Sequence, residues 1–188
     1  MTTTPDILTG TVPAASTWEI DAAHTDIGFA VKHLMISTVR GRFAAVRGTI
    51  RLDEDDLAGS TVEVEIDAAS IDTRQEQRDA HLRSGDFFDV EAYPVITFRS
   101  RAVEAIGEGR FKVTGDLTMH GVTREVVLDA SDEGRGIDPW GNQKAAFTAV
   151  TKIDRRDFGL GWNQALETGG VLVANEIRIT LDVQAVRA

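Results

Sequence analysis

Four histidines, at 24, 33, 81 and 120, and the absence of cysteine bound the chemistry open to this 188-residue chain. None of the histidines is spaced as H-x-H or H-x-x-x-H, the patterns that set two imidazoles on one metal. Without cysteine there are no disulfides, thiolate nucleophiles or Cys-based zinc or iron–sulfur sites. No metal or cofactor is therefore expected. Serine hydrolysis is not supported either, since the G-x-S-x-G elbow is missing. The glycine patterns GRG, GLG and GG lack the strand-to-helix setting in which backbone amides cradle phosphates. Asp86 and Asp89 could act as an acid–base pair, but in an acidic loop they read as solvated groups. Arg74, Arg78 and Arg83, with Asp79 and His81, read as ion-paired neighbours, although guanidinium groups at a cavity mouth would also suit a phosphate or carboxylate head group. His33 stands apart because its parity places it with Ile27, Phe29 and Val31 on an apolar strand face. It is either a polar handle inside a cavity or, as we prefer, a strand end near a rim.

These residues are set in a chain dominated by strict alternation. In FKVTGDLTMHGVTREVVLDA, residues 111–130, Phe111, Val113, Leu117 and Met119 share one side of a strand with Gly115, and Lys112, Thr114, Asp116, Thr118 and His120 share the other. A His-Gly-Val-Thr turn returns the chain, so the segment reads as a hairpin with one apolar face. The same period appears in Trp18 and Ile20, in Val62, Val64 and Ile66, in Ile96, Phe98 and Ala102, in Phe147, Ala149 and Ile153, and in Ile177, Ile179, Leu181, Val183 and Ala185. Val39 and Phe43 differ in parity from Val46, Ile50 and Leu52, which predicts a bulge near Ala44–Ala45. SDEGRGIDPWGN, 131–142, reads as a long loop. One helix is predicted over 74–84, with Thr73 and Glu76 as a capping box and Gly85 as its stop. The fold class is all-β with one short helix: an antiparallel sheet that buries its apolar face by closing into a barrel, which can hold a guest.

Bulk composition narrows the partners. Hydrophobic residues at 42% and charged residues at 27% suit a soluble domain, and a net charge of −10 repels nucleic-acid backbones. No apolar run approaches the roughly 20 residues of a membrane helix. The first residues, MTTTPDILTGTVPAAST, lack the basic and apolar regions of a secretory signal, so a cytoplasmic location is expected. Residues 1–16 read as an N-terminal extension in which Ile7 and Leu8 could dock, and 17–188 as the barrel domain.

WEIDAAHT at 18–25, RDAHLRSGDFFD at 78–89, YPVITF at 93–98, GDLTMHGVTR at 115–124 and DRRDFGL at 154–160 resemble, in order, the YceI-like or polyisoprenoid-binding family. That resemblance implies a lipocalin-like barrel of about eight strands around an elongated apolar cavity holding an isoprenoid or similar long-chain lipid. It also implies frequent dimers and no catalytic residues. Many relatives are exported with a signal peptide, which this chain lacks. Strand parity then nominates the lumen side chains as ligand-binding residues: Ile27, Phe29, Val31, His33, Phe43, Val64, Ile66, Phe98, Phe111, Val113, Leu117, Phe147, Trp162, Ile179 and Leu181. The competing reading is a small-barrel cyclase or isomerase acting on a lipid-like substrate, with His33 or a rim carboxylate as its acid–base group.

Overall fold

A computed structural model describes residues 15–188; Ile7 and Leu8 of the N-terminal extension lie outside them. The strands are β1 (Ser16–Ile20), β2 (Asp26–His33), β3 (Ser37–Phe43), β4 (Val46–Leu52), β5 (Thr61–Asp67), β6 (Ile71–Asp72), β7 (Val95–Gly107), β8 (Arg110–Met119), β9 (Val122–Ile137), β10 (Gln143–Asp154) and β11 (Val173–Arg187), with helix α1 (Glu76–Arg83) between β6 and β7. Every pairing between strands is antiparallel. β11 pairs with β2 through Val173–Asp182 and with β1 through Ala185–Arg187, so β1 and β2 act as one broken stave beside it. β3 with β4, and β5 with β6, are broken staves of the same kind, each pair following its neighbour around the ring. The result is an eight-stranded closed barrel, lipocalin-like, in which closure removes the unpaired strand edges that would otherwise invite aggregation.

The barrel has two ends. One carries the β4–β5, β7–β8 and β9–β10 connections. The other carries α1, the β2–β3 and β8–β9 turns and a 3-10 turn at Arg155–Phe158. The β8–β9 turn has two residues, His120 and Gly121, with φ of 51° and 71°, the left-handed pair that a tight hairpin of matching twist requires.

Several local expectations give way to tertiary pairing. Ala44–Ala45 is a break between β3 and β4 rather than a bulge; the backbone amides of Ala44 and Asp67 and the Ser70 hydroxyl stitch it to the matching break in the next stave. It still moves the inward set from Phe43 to Val46 as the parity requires. SDEGRGIDPWGN is not a long loop, because β9 continues to Ile137 and a register shift opposite Ala146/Phe147 absorbs the extra residue beside Gly134. Its glycines mark a bulge, and Asp138 closes the remaining five-residue connection by accepting the amides of Trp140 and Asn142. Ala102 is exposed and Val103 is buried, since another register shift between Ser100 and Ala102 inverts the parity of β7.

The helix begins later than 74. Gln75 is its N-cap, accepting the Arg78 amide. Thr73 is buried instead and donates its hydroxyl and its amide to the buried carboxylate of Asp79. Arg78 and Arg83 bond to Thr73 and to the carbonyls of Ala69 and Ile71, fastening the helix to the β5–β6 stave rather than ion-pairing.

Candidate functional site: an apolar lumen with a charged rim

The inward residues of the staves do not meet in the middle. They enclose a cavity of about 670 Å³, within the range of ligand sites that swallow most of a small molecule's surface. β2 contributes Ile27, Phe29 and Val31, and β3 contributes Phe43. β5 supplies Val64 and Ile66, joined by Val62 from outside the nominated set, β7 supplies Phe98, and β8 supplies Phe111, Val113 and Leu117. Phe147 on β10 and Ile179 and Leu181 on β11 complete the parity-nominated wall. Two aromatic rings owe their positions to glycine. A Cβ on Gly115 would lie 2.5 Å from Phe98 Cζ, and one on Gly41 would lie 2.5 Å from Phe29 Cζ. The missing side chains let these rings lie across the neighbouring strand and leave the centre open.

Two nominated residues fall outside the wall. His33 ends β2 opposite Ser37 and Val173, beyond Val31 and clear of the lining. Parity correctly assigns its face, but the strand reaches the barrel rim before its side chain can enter. Trp162 also stands one layer out, packing its ring against Phe87 and His81 at centroid distances of 5.3 and 4.7 Å. Phe87 is the one that reaches the lumen. The other histidines serve local structure: His24 and His81 bond to Asp21 and Asp86, and His120 bonds to the Phe158 carbonyl.

Alternation could not reveal the ends of the cavity. At the helix end, Leu82, Phe87 and Phe88 close over the lumen. The FF pair in GDFFD is the one sequence signal that could have suggested a cap. Beside them lies Arg155, 3% exposed, donating to the carbonyls of Leu160, Trp162 and Ala174 at 2.6, 2.8 and 3.0 Å. Burial pushes its pKa down from the ordinary arginine value, but the carbonyl dipoles keep the cation hydrogen-bonded. No spacing rule would have found it. Its neighbour Asp154 caps the 3-10 turn and takes the Arg156 guanidinium; those hydrogen bonds hold its carboxyl down to about 2.

At the opposite end, exposed residues line the mouth: Glu54, Gly107, Gly109, Arg110 and Arg135, with Asp132 half-buried among them. Arg135 bonds to Asp132 at 2.7 Å, approaches Glu54 at 4.0 Å and spreads its guanidinium over the rings of Trp18 and Phe147 at 5.5 and 5.2 Å. The site is thus a greasy tube whose ionisable groups gather at its rim, apart from the carbonyl-bound Arg155 at the helix end.

The YceI-like domain model matches residues 18–185, nearly the whole barrel. The chain belongs to the YceI-like domain family. Among curated relatives, a UPF0312 protein of Vibrio parahaemolyticus is 43% identical over 138 residues, covering 73% of each chain. Another from Photorhabdus laumondii is 42% identical over 154 residues, covering 81% of this chain and 80% of the relative. Among solved structures, a Campylobacter jejuni YCEI protein superposes with a TM-score of 0.72 at 35% identity, covering 89% of this YceI-like chain and 96% of that one. A polyisoprenoid binding domain from Saccharophagus degradans, implicated in plant cell wall breakdown, superposes at 0.69 but with 16% identity, over 93% and 99% of the two chains. That likeness speaks for the shared barrel of YceI-like domains.

Proposed function

We propose that this YceI-like domain binds one long-chain, largely hydrocarbon lipid of the polyisoprenoid class, with its tail in the lumen and its polar end at the Arg110–Arg135 rim. The observation that carries this reading is the open cavity walled by Ile, Val, Leu and Phe side chains from all eight staves. An empty apolar cavity of this size is poor ground for water, which needs two to four polar partners. A hydrocarbon chain fills it well. Burying several hundred Å² of apolar surface contributes roughly 10 kcal/mol at about 25 cal/mol per Å², before ordering costs. The dimensions suit a chain rather than a compact ligand. β11 has fifteen residues; at about 3.4 Å per residue and about 40° of tilt, such a strand gives a barrel roughly 40 Å tall.

Carriage rather than turnover is the reading we adopt. The carboxylates Glu54 and Asp132 stand at the rim beside Arg135, and among the described residues the depths of the lumen hold one ionisable group, Arg155, whose N–H groups are engaged by carbonyls. The polyisoprenoid binding domain of Saccharophagus degradans, by its name, supports the ligand class through the shared barrel. Organic-solvent extraction of the purified protein, followed by mass spectrometry, tests both points. We expect an unmodified long-chain lipid at up to one per chain. The bare polypeptide mass, under native conditions that preserve a known lipocalin complex, would refute the proposal. Conversion of an added lipid would favour the enzyme.

A further inference from the structure

The turn between β2 and β3 is made of residues poorly suited to it. Leu34 and Met35 both take left-handed backbone angles, φ 53° and 62°, which tight hairpins normally give to Asn or Gly. With Ile36 they make an apolar tip at the helix end of the barrel, 39%, 58% and 82% exposed. Met35 leans on Gly170, and Ile36 stands almost free in solvent.

The outer wall beneath this tip is cationic. Lys152 on β10 lies opposite Arg178 on β11, Arg178 opposite Ala30 on β2, and Ala30 opposite Arg40 on β3. One row across four strands therefore presents three cations outward. Lys32 and Arg42 flank it with the same outward parity, and all five side chains belong to exposed residues. Glu176 pairs with Lys152 at 2.9 Å and Asp72 approaches Arg42 at 3.8 Å. Among the described residues, Lys32, Arg40 and Arg178 form no ion pair. The sequence reinforces the pattern, for the chain carries no carboxylate between Asp26 and Asp53 although its net charge is −10.

We propose that the β2–β3 tip and the cationic row below it dock this protein on an anionic lipid bilayer. The apolar tip enters the headgroup layer while Lys32, Arg40 and Arg178 meet lipid phosphates. An apolar end above a basic collar is the arrangement of interfacial membrane anchors. The surface stands on its own residues. The lipid-carrier reading supplies its purpose, because a water-insoluble cargo is exchanged at a membrane.

Flotation of the full chain with vesicles of phosphatidylglycerol and phosphatidylcholine tests the proposal against vesicles of phosphatidylcholine alone. We expect co-flotation with the anionic vesicles, lost near 1 M salt, where the screening length falls to about 3 Å. Arg40→Gln should weaken partitioning about 5-fold, the weight of one basic residue at a charged surface. The pair Leu34→Asn and Ile36→Ser should weaken it about tenfold or more with an unchanged melting temperature, since asparagine suits the left-handed backbone. Lys112→Gln, on β8, should change nothing. Equal flotation of all variants, or none of the wild type, would overturn the docking surface. So would Arg40-dependent retention on a polyglutamate column without vesicle binding, which would point to an acidic protein instead. Lipid extracted from the cavity is measured in the same samples. Vesicle binding lost while cavity lipid remains refutes docking alone, and cavity lipid absent while vesicle binding persists refutes the carrier alone.

Discussion

Leu117→Ala distinguishes a lumen from a filled core, because the alternating pattern is compatible with both. Leu117 is 9% exposed and faces the cavity, whereas Phe158, 1% exposed, packs in the same apolar cluster without lining it. In a filled core a Leu→Ala truncation costs about 2.7–5.0 kcal/mol, rising by about 24 cal/mol for each Å³ of new void. At Leu117 the void already exists. The truncation enlarges it without creating an enclosed hole, and what remains is part of the transfer cost of three carbons, about 0.8 kcal/mol each when fully buried. One side of the chain already faces open space, so we expect about 1–2 kcal/mol in delipidated protein. Phe158→Ala should cost about 3–5 kcal/mol. Ligand binding should order the two variants the other way. Roughly 60 Å² of lost apolar contact at Leu117 weakens a long-chain lipid by about 1.5 kcal/mol, close to tenfold in Kd, while Phe158→Ala leaves the wall itself intact. Urea melts of delipidated protein give the first ordering and titration with a fluorescent polyene lipid the second. If Leu117→Ala is as destabilising as Phe158→Ala and binding is unchanged, the side chain belongs to a solid core and the reasoning fails.

Gly115→Ala should crowd Phe98, since the new Cβ would lie 2.5 Å from both its ring and the Arg99 carbonyl. We expect a loss of about 1–3 kcal/mol and a smaller lipid capacity, measured by melts and by the mass of extracted lipid; full capacity would show that the glycine does not shape the lumen. Thr73→Ala removes the hydroxyl donor of buried Asp79 and an acceptor of Arg78, and should cost about 1–3 kcal/mol. Gln75→Ala, at the exposed cap, should cost about 0.5–1 kcal/mol; the reverse order in urea melts would show that the buried Thr73–Asp79–Arg78 network holds the helix less firmly than its cap does. Asp154 has its carboxyl held down to about 2, below the ordinary 3.8, chiefly by Arg156. A depressed pKa lends stability that is complete above the ordinary value and is lost as pH falls through the folded one, so the wild type should lose stability between about pH 4 and 2, and Asp154→Asn should lose less there. Identical slopes of melting temperature against pH would dismiss the pair's contribution.

Sequence alone determined much of the wall. Strand side chains alternate with period two, so once Leu117, Ile179 or Phe29 is assigned to the apolar face, the rest of its strand follows to the next irregularity. Closure followed too, because so many half-apolar strands leave few other ways to hide their faces. The tertiary structure decided where that period breaks: Ala102 gives way to Val103, and residues 131–137 of the supposed loop become strand, because a bulge is defined by the partner strand and not by the residues inside it. It also decided what stands at the tube's ends. Arg155, Arg135 and the Phe87–Phe88 cap come from segments without a period, brought to the lumen by connections distant in the chain. Even the emptiness of the barrel was undecided in the sequence. Alternation tells which side chains point inward, whereas their distance from those opposite depends on barrel radius and on Gly41 and Gly115, which let two phenylalanine rings lie flat against the wall.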